Sequence, residues 1–216
     1  TSESEDNTLT VAATVDKGNY WASAIGNNDN STGAVYNLNI AGGTIYAGTR
    51  IQDNCTAIGG GGNGHAGITI SGGVITAVAS TSGTAIGGGI GYSSGGGDGD
   101  VTISGGTVYA YNHCAYLPLD GENYSVPSAA IGGGSSVKSI GNKGVVTISG
   151  GTVYAQSVGG VAIGGGGSTT KTGGSADVKI LGGNVTAKSV RGTVTNGTDI
   201  QDVLAGASIG GGTGST

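Results

Sequence analysis

The 216-residue chain contains no Phe and no Met, one Trp and two Pro, while 50 of its residues are Gly. An interior without bulky side chains suits a narrow core of Ile, Val and Ala better than a wide globular one. Collagen is excluded, because Gly does not recur at every third position and Pro is almost absent. Disorder is disfavoured, because Ile and Val recur at fixed places and charged residues make up only 10% of the chain.

Basic residues and long apolar runs are also scarce. Eight Lys and Arg against 13 Asp and Glu give a net charge of −5. A nucleic-acid surface needs clustered basic residues, so we expect no nucleic-acid partner. No apolar run approaches the length of a membrane span, and we therefore expect no membrane insertion.

Two short sequence elements alternate along the chain and indicate a repeat protein. The first is A-I-G-G-G, with copies that begin at Ala57, Ala85, Ala130 and Ala162 and variants at Ala24 and Ser208. The second is V-T-I-S-G-G-T-V-Y-A, with clear copies at 101–110 and 146–155 and looser copies at 38–47, 68–77 and 178–187. Its apolar residues alternate with hydroxyl residues on both sides of a Gly pair, which is the period of two short strands around a corner.

Each repeat supplies three short strands and three bends. We therefore predict an all-β fold, a single-stranded parallel β-helix (β-solenoid) with three short strands per coil and about six coils. Stacked coils place equivalent residues about 4.8 Å apart, so the apolar positions line up in ladders that one coil alone cannot bury. The three predicted ladders are Ile25, Ile58, Ile86, Ile131, Ile163 and Ile209; Ile40, Ile70, Ile103, Ile148 and Ile180; and Ile45, Ile75, Val108, Val153 and Val185.

Two connections are much longer than the others, and both follow the third strand of a coil. We interpret residues 1–216 as one solenoid domain with a loose lead-in at 1–10 and loop insertions at 111–128 and 188–206. Insertions at the same point of the coil project from the same side of a solenoid, and long loops are often functional.

Together the two elements resemble the Gly-rich repeats of secreted and cell-surface bacterial proteins with a right-handed, pectate-lyase-like parallel β-helix, of adhesin or carbohydrate-binding type. The resemblance covers roughly residues 24–212. It implies a right-handed coil, which the general preference of parallel crossovers also favours. It further implies a bacterial protein that is secreted or displayed at the cell surface. The implied partners are an extracellular glycan or a host or cell-wall surface, and other domains of a larger parent protein.

Three tyrosines are candidates for ligand binding. If Val108 points inward, the alternation turns Tyr109 outward, together with Tyr46 and Tyr154. Tyr109 and Tyr154 then lie on adjacent coils, with Tyr46 two coils away. A stripe of flat rings suits the apolar faces of sugar rings. The alternative is that Tyr is a good strand residue whose ring covers its neighbours.

The insertion at 111–128 contains the other candidate ligand-binding residues: Tyr111, His113, Tyr116, Asp120, Glu122 and Tyr124. Rings, carboxylates and an imidazole in one exposed loop predict a glycan pocket beside the tyrosines, although a loop that packs on its own aromatics has the same composition. Outward Thr and Ser pairs also recur on three consecutive coils, at 69/71, 102/104 and 147/149. A regular hydroxyl array can organise water as ice-binding solenoids do, but we interpret it as a solvated strand face.

Disulfide and metal sites have weaker support. Cys55 and Cys114 lie two coils apart, and a separation of about 10 Å exceeds a disulfide unless the long loop folds back. Exported proteins often pair their cysteines, so the disulfide stays open. The segment 95–100 resembles the Gly/Asp-rich calcium turns of nonapeptide β-rolls, yet the nine-residue period is missing and two Asp fall short of the about six to eight oxygens that calcium prefers. We expect no metal site and no cofactor, with calcium the weak exception.

No H-E-x-x-H motif and no catalytic pair of carboxylates is evident in the sequence. We expect Lys179 to be the only basic residue in a strand register, with Asp177, two positions earlier, on the opposite face. We therefore predict a non-catalytic adhesion or carbohydrate-binding module. Two alternatives stay open because fold alone excludes neither. They are a structural stalk that presents another domain, and a polysaccharide lyase or hydrolase with a loop-borne site.

Overall fold

The computed structural model describes residues 8–13, 22–27, 35–49, 55–80, 82–113, 116–119, 122–196 and 199–214, and over these residues the protein is all-β. The strands in chain order are β1 (Thr8–Ala13), β2 (Ser23–Gly26), β3 (Val35–Ile40), β4 (Thr44–Thr49), β5 (Thr56–Gly59), β6 (Ala66–Ile70), β7 (Val74–Ala79), β8 (Ile86–Gly87), β9 (Gly99–Ile103), β10 (Thr107–Asn112), β11 (Tyr116–Leu119), β12 (Glu122–Ser125), β13 (Ile131–Gly132), β14 (Gly144–Ile148), β15 (Thr152–Val158), β16 (Ile163–Gly164), β17 (Ala176–Ile180), β18 (Asn184–Val190), β19 (Gly192–Asn196), β20 (Asp199–Val203) and β21 (Ile209–Gly210).

Three parallel sheets of six, five and six strands confirm the predicted solenoid with three strands per coil. Sheet 1 has the order β2-β5-β8-β13-β16-β21 and takes its strands from the A-I-G element. Sheet 2, β3-β6-β9-β14-β17, takes the first half of the second element, and sheet 3, β1-β4-β7-β10-β15-β18, takes the other half. Each strand therefore pairs with the equivalent strand of the next coil.

The predicted ladders form the interior. Strand register aligns Ile58 with Ile86 in sheet 1 and Ile70 with Ile103 in sheet 2. Ladder side chains in the central coils are at most 1% exposed, whereas Ile180 is 44% exposed because β17 is the last strand of its sheet. Each buried aliphatic side chain contributes about 1.5–3 kcal/mol, so this narrow core stabilises the fold without Phe or Met.

Glycine is required at one corner of every coil. Gly132, which follows the A-I pair, has a φ of +134°, a conformation that L side chains rarely adopt. A Cβ at this position would lie 2.0 Å from the carbonyl oxygen of Gly164 in the next coil. The equivalent glycines in the other coils approach their neighbours equally closely: Gly26, Gly59, Gly87 and Gly164. The motif needs glycine because the stacked backbones pass too close for any side chain.

The lead-in predicted at residues 1–10 was wrong from Thr8 onward. Thr8–Ala13 is strand β1, which pairs with β4 and places Leu9 opposite Ile45. The signal was present in the sequence, because T-L-T-V has the same two-residue period as T-I-Y-A at the start of β4. β1 therefore adds a first strand to sheet 3.

The two insertions were predicted as loops, but most of their described residues form strands. In the first, Tyr111 and Asn112 extend β10, and β11 and β12 form an antiparallel hairpin. In the second, β18 continues to Val190, and β19 and β20 form another hairpin. Extended backbone needs hydrogen-bond partners, and a hairpin supplies them within the insertion. β11 lies close to β19, so both insertions project from the same side of the solenoid, as expected.

The expectation that Asp177 and Lys179 lie on opposite faces was wrong. Lys179 Nζ lies 3.8 Å from Asp177 Oδ2 on the outer face of β17. Strand β17 begins at Ala176, so both residues belong to one strand, and residues two positions apart in a strand share a face. The pair is exposed and therefore contributes little to stability.

The corner glycines give a first prediction. Gly132→Ala should lower the free energy of unfolding by about 3 kcal/mol or more, because it combines a forbidden φ with a backbone overlap. Gly48→Ala is the matched control, since a Cβ at Gly48 would meet no atom within 4 Å, and it should change stability by less than about 1 kcal/mol. Urea unfolding measures both values. If both variants lost a similar amount of unfolding free energy, the close approach of the backbones at the corner would not be what requires glycine there.

Candidate functional site

The three predicted tyrosines lie on the outer face of sheet 3. Val108 is fully buried, whereas Tyr109 is 36% and Tyr46 is 47% exposed, so the predicted alternation is confirmed. Tyr109 is in register with Tyr154 on the adjacent coil. On its other side Tyr109 is in register with Thr76, which separates it from Tyr46 by one coil. Two of the three rings therefore form a pair, and Tyr46 lies apart.

Tyr111 joins this pair because β10 is longer than predicted. Its ring centroid lies 5.7 Å from that of Tyr154, with the ring planes tilted by 48°. On the other side, the Tyr111 ring is stacked at 6.4 Å and 12° on the ring of His113. We call Tyr109, Tyr111, Tyr154 and His113 the aromatic cluster. It places four rings on the outer face of two adjacent coils, with Tyr111 in contact with both Tyr154 and His113.

The residue between Tyr111 and His113 anchors the end of β10. Asn112 points inward and is buried, and its side-chain amide donates to the Gly83 carbonyl oxygen at 2.5 Å. Ser157 Oγ of the next coil lies 2.7 Å from the Ser128 carbonyl oxygen and 3.3 Å from Asn112 Oδ1, and its single proton can be donated to either acceptor. A buried polar group that is fully hydrogen-bonded has one preferred position. The backbone that carries the cluster is therefore held by the interior.

Polar side chains border the cluster on β15 and β18. Gln156 is in register with Tyr111 on one side and with Lys188 on the other. The Tyr154 hydroxyl donates to Gln156 Oε1 at 3.1 Å, and Lys188 Nζ lies 5.4 Å from the Tyr154 ring centroid. The second contact is within the range of a cation–π interaction. Sequence reasoning missed Gln156 and Lys188, because their position beside the rings depends on register across three coils.

The second hairpin limits the cluster at one edge. Val158 follows Tyr154 and Gln156 on the outer face of β15. A Cβ on Gly192, the first residue of β19, would lie 2.3 Å from Val158 Cγ1, so the hairpin packs directly on this face. The cluster is thus an open platform with a wall on the side of the insertions.

Burial raises the pKa of Tyr111 above its ordinary value of 10.0, and the neighbouring phenols of Tyr154 and Tyr109 raise it further. Both causes act against the phenolate, because desolvation and nearby negative charge disfavour the ionised form. Tyr111 therefore keeps a neutral hydroxyl, able to donate a hydrogen bond, at neutral and mildly alkaline pH.

Three of the remaining predicted ligand-binding residues belong to the first hairpin. Tyr116 begins β11, and Glu122 and Tyr124 lie in β12, where Tyr124 pairs with Leu117. Their side chains and the whole of Asp120 lie outside the described residues. Their part in binding stays a prediction.

Only one of the two cysteines lies among the described residues. Cys55 is fully buried just before β5, and Cys114 lies outside the described residues, so the disulfide stays a prediction.

The Gly/Asp-rich turn connects coils. Asp98 Oδ1 accepts the backbone N–H of Lys143 at 2.9 Å, and the Asp98 N–H donates to His65 Nδ1 at 3.0 Å. These bonds give Asp98 a structural role. In the part of the chain that the structure describes, no three His, Cys, Asp or Glu side chains group together as metal ligands.

No protein-family model, no curated protein and no solved structure matches this chain. Among the described residues, no helix is long and apolar enough to cross a membrane. The function of the chain is therefore inferred from the geometry of the aromatic cluster and of the outer sheet faces.

The surroundings of Tyr111 predict an alkaline transition. As pH rises, stability is retained below pH 10 and falls as Tyr111 ionises, because the folded state disfavours its phenolate. Phenolate absorbance of the folded wild type minus that of Tyr111→Phe should give a curve with its midpoint above 10.0. In a Tyr154→Phe background the midpoint should move down, because one phenol that raises the pKa is removed. A midpoint at 10.0 or below would contradict the described packing of Tyr111.

Proposed function

We propose that this chain is a non-catalytic adhesion or carbohydrate-binding module of a secreted or cell-surface bacterial protein, and that the aromatic cluster binds its glycan. The observation that carries the proposal is the contact of Tyr111 with Tyr154 beside Tyr109, on a face where the row of Tyr109 and Tyr154 holds Thr in the coils on either side of the pair. Exposed rings at a fixed spacing on rigid strands are the usual platform for the apolar face of a sugar. A glycan is therefore the ligand class that this surface fits best.

Binding would combine stacking with a polar edge. Tyr109 and Tyr154 lie on adjacent coils, about 4.8 Å apart along the solenoid axis, so neighbouring rings can cover one sugar unit. The hydroxyl of Tyr111 and the amide N–H groups of Gln156 point to the same face and can bond sugar hydroxyls. Lys188 adds a positive charge at this edge, which suits a glycan with an acidic substituent.

The position of the cluster on strands supports a role in ligand binding over a role in covering neighbouring side chains. Surface tyrosines in a sheet often only cover their neighbours. Here Tyr109 keeps more than a third of its surface exposed, and Asn112 fixes the backbone beneath the cluster from inside. A site that is already ordered loses little conformational entropy when the ligand binds.

A stiff stalk is the second candidate function. The uninterrupted ladders and the corner glycines give each coil the same contacts with the next, and stacked coils of this kind form rigid rods. Under this proposal the tyrosines have no ligand, and the solenoid presents other domains of the parent protein. The two candidates differ in one observable, which is glycan binding by the isolated chain.

A glycan screen followed by mutation tests the first candidate. The folded chain is applied to an array of bacterial, plant and mucin glycans, and affinity for the positive glycan is measured by calorimetry. Tyr109→Ala combined with Tyr154→Ala should weaken binding about tenfold or more, because both stacking surfaces are lost. Ile140→Ala is the control, since Ile140 is an exposed apolar side chain outside sheet 3. Unchanged affinity in the double variant would refute the role of the cluster, and a blank array would favour the stalk.

A further inference from the structure

A polar groove lies on the outer face of sheet 2, away from the aromatic cluster. It has a volume of about 200 Å³ and is lined by Asn37, Gly67, Ile68, Thr69, Asp100 and Thr102. The groove includes two members, Thr69 and Thr102, of a column that continues at Thr147 in the next strand of the sheet. It belongs to neither the hairpins nor the candidate site described above.

Two departures from the repeat create the groove. The register between β3 and β6 shifts between Val35 and Leu38, and Asn37 within this bulge has a φ of +63°. In the next coil Gly67 is in register with Asp100, so a glycine stands where a neighbouring strand has a full side chain. Bulges and left-handed non-glycine residues are concentrated at binding sites. The missing side chain and the displaced strand together leave an open depression.

The groove presents polar groups that the fold does not use. Within the described residues, the side chains of Asn37, Thr69, Asp100 and Thr102 make no hydrogen bond or ion pair. The Asn37 carbonyl oxygen accepts from Asn39 at 3.2 Å, which leaves its side-chain amide available. Asp98 and Asp177 behave differently, because the first accepts a backbone N–H of the next coil and the second pairs with a lysine on its own strand. One carboxylate, one amide and two hydroxyls therefore converge on the same space.

We propose that this groove is a second binding site, for a single neutral sugar unit. A carboxylate accepts from two adjacent hydroxyls, while an amide and two hydroxyls both donate and accept, so the set matches a polyol. The volume is smaller than that of sites for drug-sized ligands, about 300 Å³ and above, and suits one sugar ring.

The same groups argue against other ligands. A single carboxylate falls short of the about six to eight oxygens of a calcium site. A uronic acid or a sulfated sugar would bring a second negative charge next to Asp100, which like-charge repulsion disfavours. Neutral pyranosides are therefore the ligand class. The proposal does not rest on the function of the aromatic cluster, which lies on a different sheet.

Gly67→Val places a side chain in the groove. Val145 occupies the same column in β14, next to Asp100 on the opposite side from Gly67, so the sheet already accepts valine at this register. Asp100→Asn removes the charge and keeps the shape. Asp177→Asn is the matched control, because Asp177 lies in the same column on the last strand of the sheet, away from the groove.

Amide chemical shifts of the isotope-labelled chain test the proposal. Methyl glucoside, galactoside, mannoside and xyloside are titrated to tens of millimolar, and the amides of Gly67, Thr69, Asp100 and Thr102 should shift with at least one of them. Asp100→Asn should weaken that affinity about tenfold, Gly67→Val should abolish the shifts, and Asp177→Asn should change nothing. Methyl glucuronide or galacturonide should shift the wild type less than its neutral counterpart, and Asp100→Asn should reduce that difference.

The outcomes separate this site from the aromatic cluster. The variant Tyr109→Ala with Tyr154→Ala should keep the groove shifts, so failure of either site leaves the other measurable. Shifts that are absent with every pyranoside, or that persist in Gly67→Val, would overturn the proposal. An acidic sugar that binds as tightly as its neutral counterpart would also overturn it.

Discussion

The close approach of stacked backbones at the glycine corner is the constraint on which the rest of the structure depends. Gly87, Gly132 and Gly164 follow one another along the solenoid, and a Cβ on the first two would lie only 1.9 and 2.0 Å from the next carbonyl oxygen. Any other residue would push the coils apart at this corner. The isoleucines that immediately precede the glycines contact one another only because the corner lets the coils stack at normal strand spacing. The abundance of glycine and the narrow aliphatic core are therefore two aspects of one requirement.

In such a regular stack, the candidate binding sites lie where the repeat is broken. Thr stands next to the pair on both sides in the row of Tyr109 and Tyr154, so the two adjacent rings are a local departure. Gly67 and the bulge at Asn37 are departures of the opposite kind, which remove atoms from a surface. Both depend on register, because a side chain and its neighbours along a column come from segments about 30 to 45 residues apart in the chain. A rigid scaffold makes these departures precise in space.

The sequence predicted the features that follow from local periodicity and missed those that follow from pairing. The ladders and the outward direction of Tyr109 come from a two-residue period within single strands, and both are confirmed. The strand ends depend on hydrogen bonds to the next coil, which is why Tyr111 was placed in a loop and Asp177 on the wrong face. The bulge at Asn37 arises from a register shift between two strands, and no local sequence pattern predicts it.

The two candidate sites carry opposite charges, so they would prefer different sugar units. Lys188 borders the rings of the aromatic cluster, whereas Asp100 borders the groove, and both positions lie on strands rather than on loops. Rigid sites lose little entropy on binding, but a small platform and a groove for one sugar give weak affinity individually. On a polysaccharide with both neutral and acidic units, two weak contacts held at fixed distance would act together, since the second binding step becomes intramolecular. A solenoid that holds two sugar sites on different faces would therefore favour a branched or densely packed glycan surface over a single free chain.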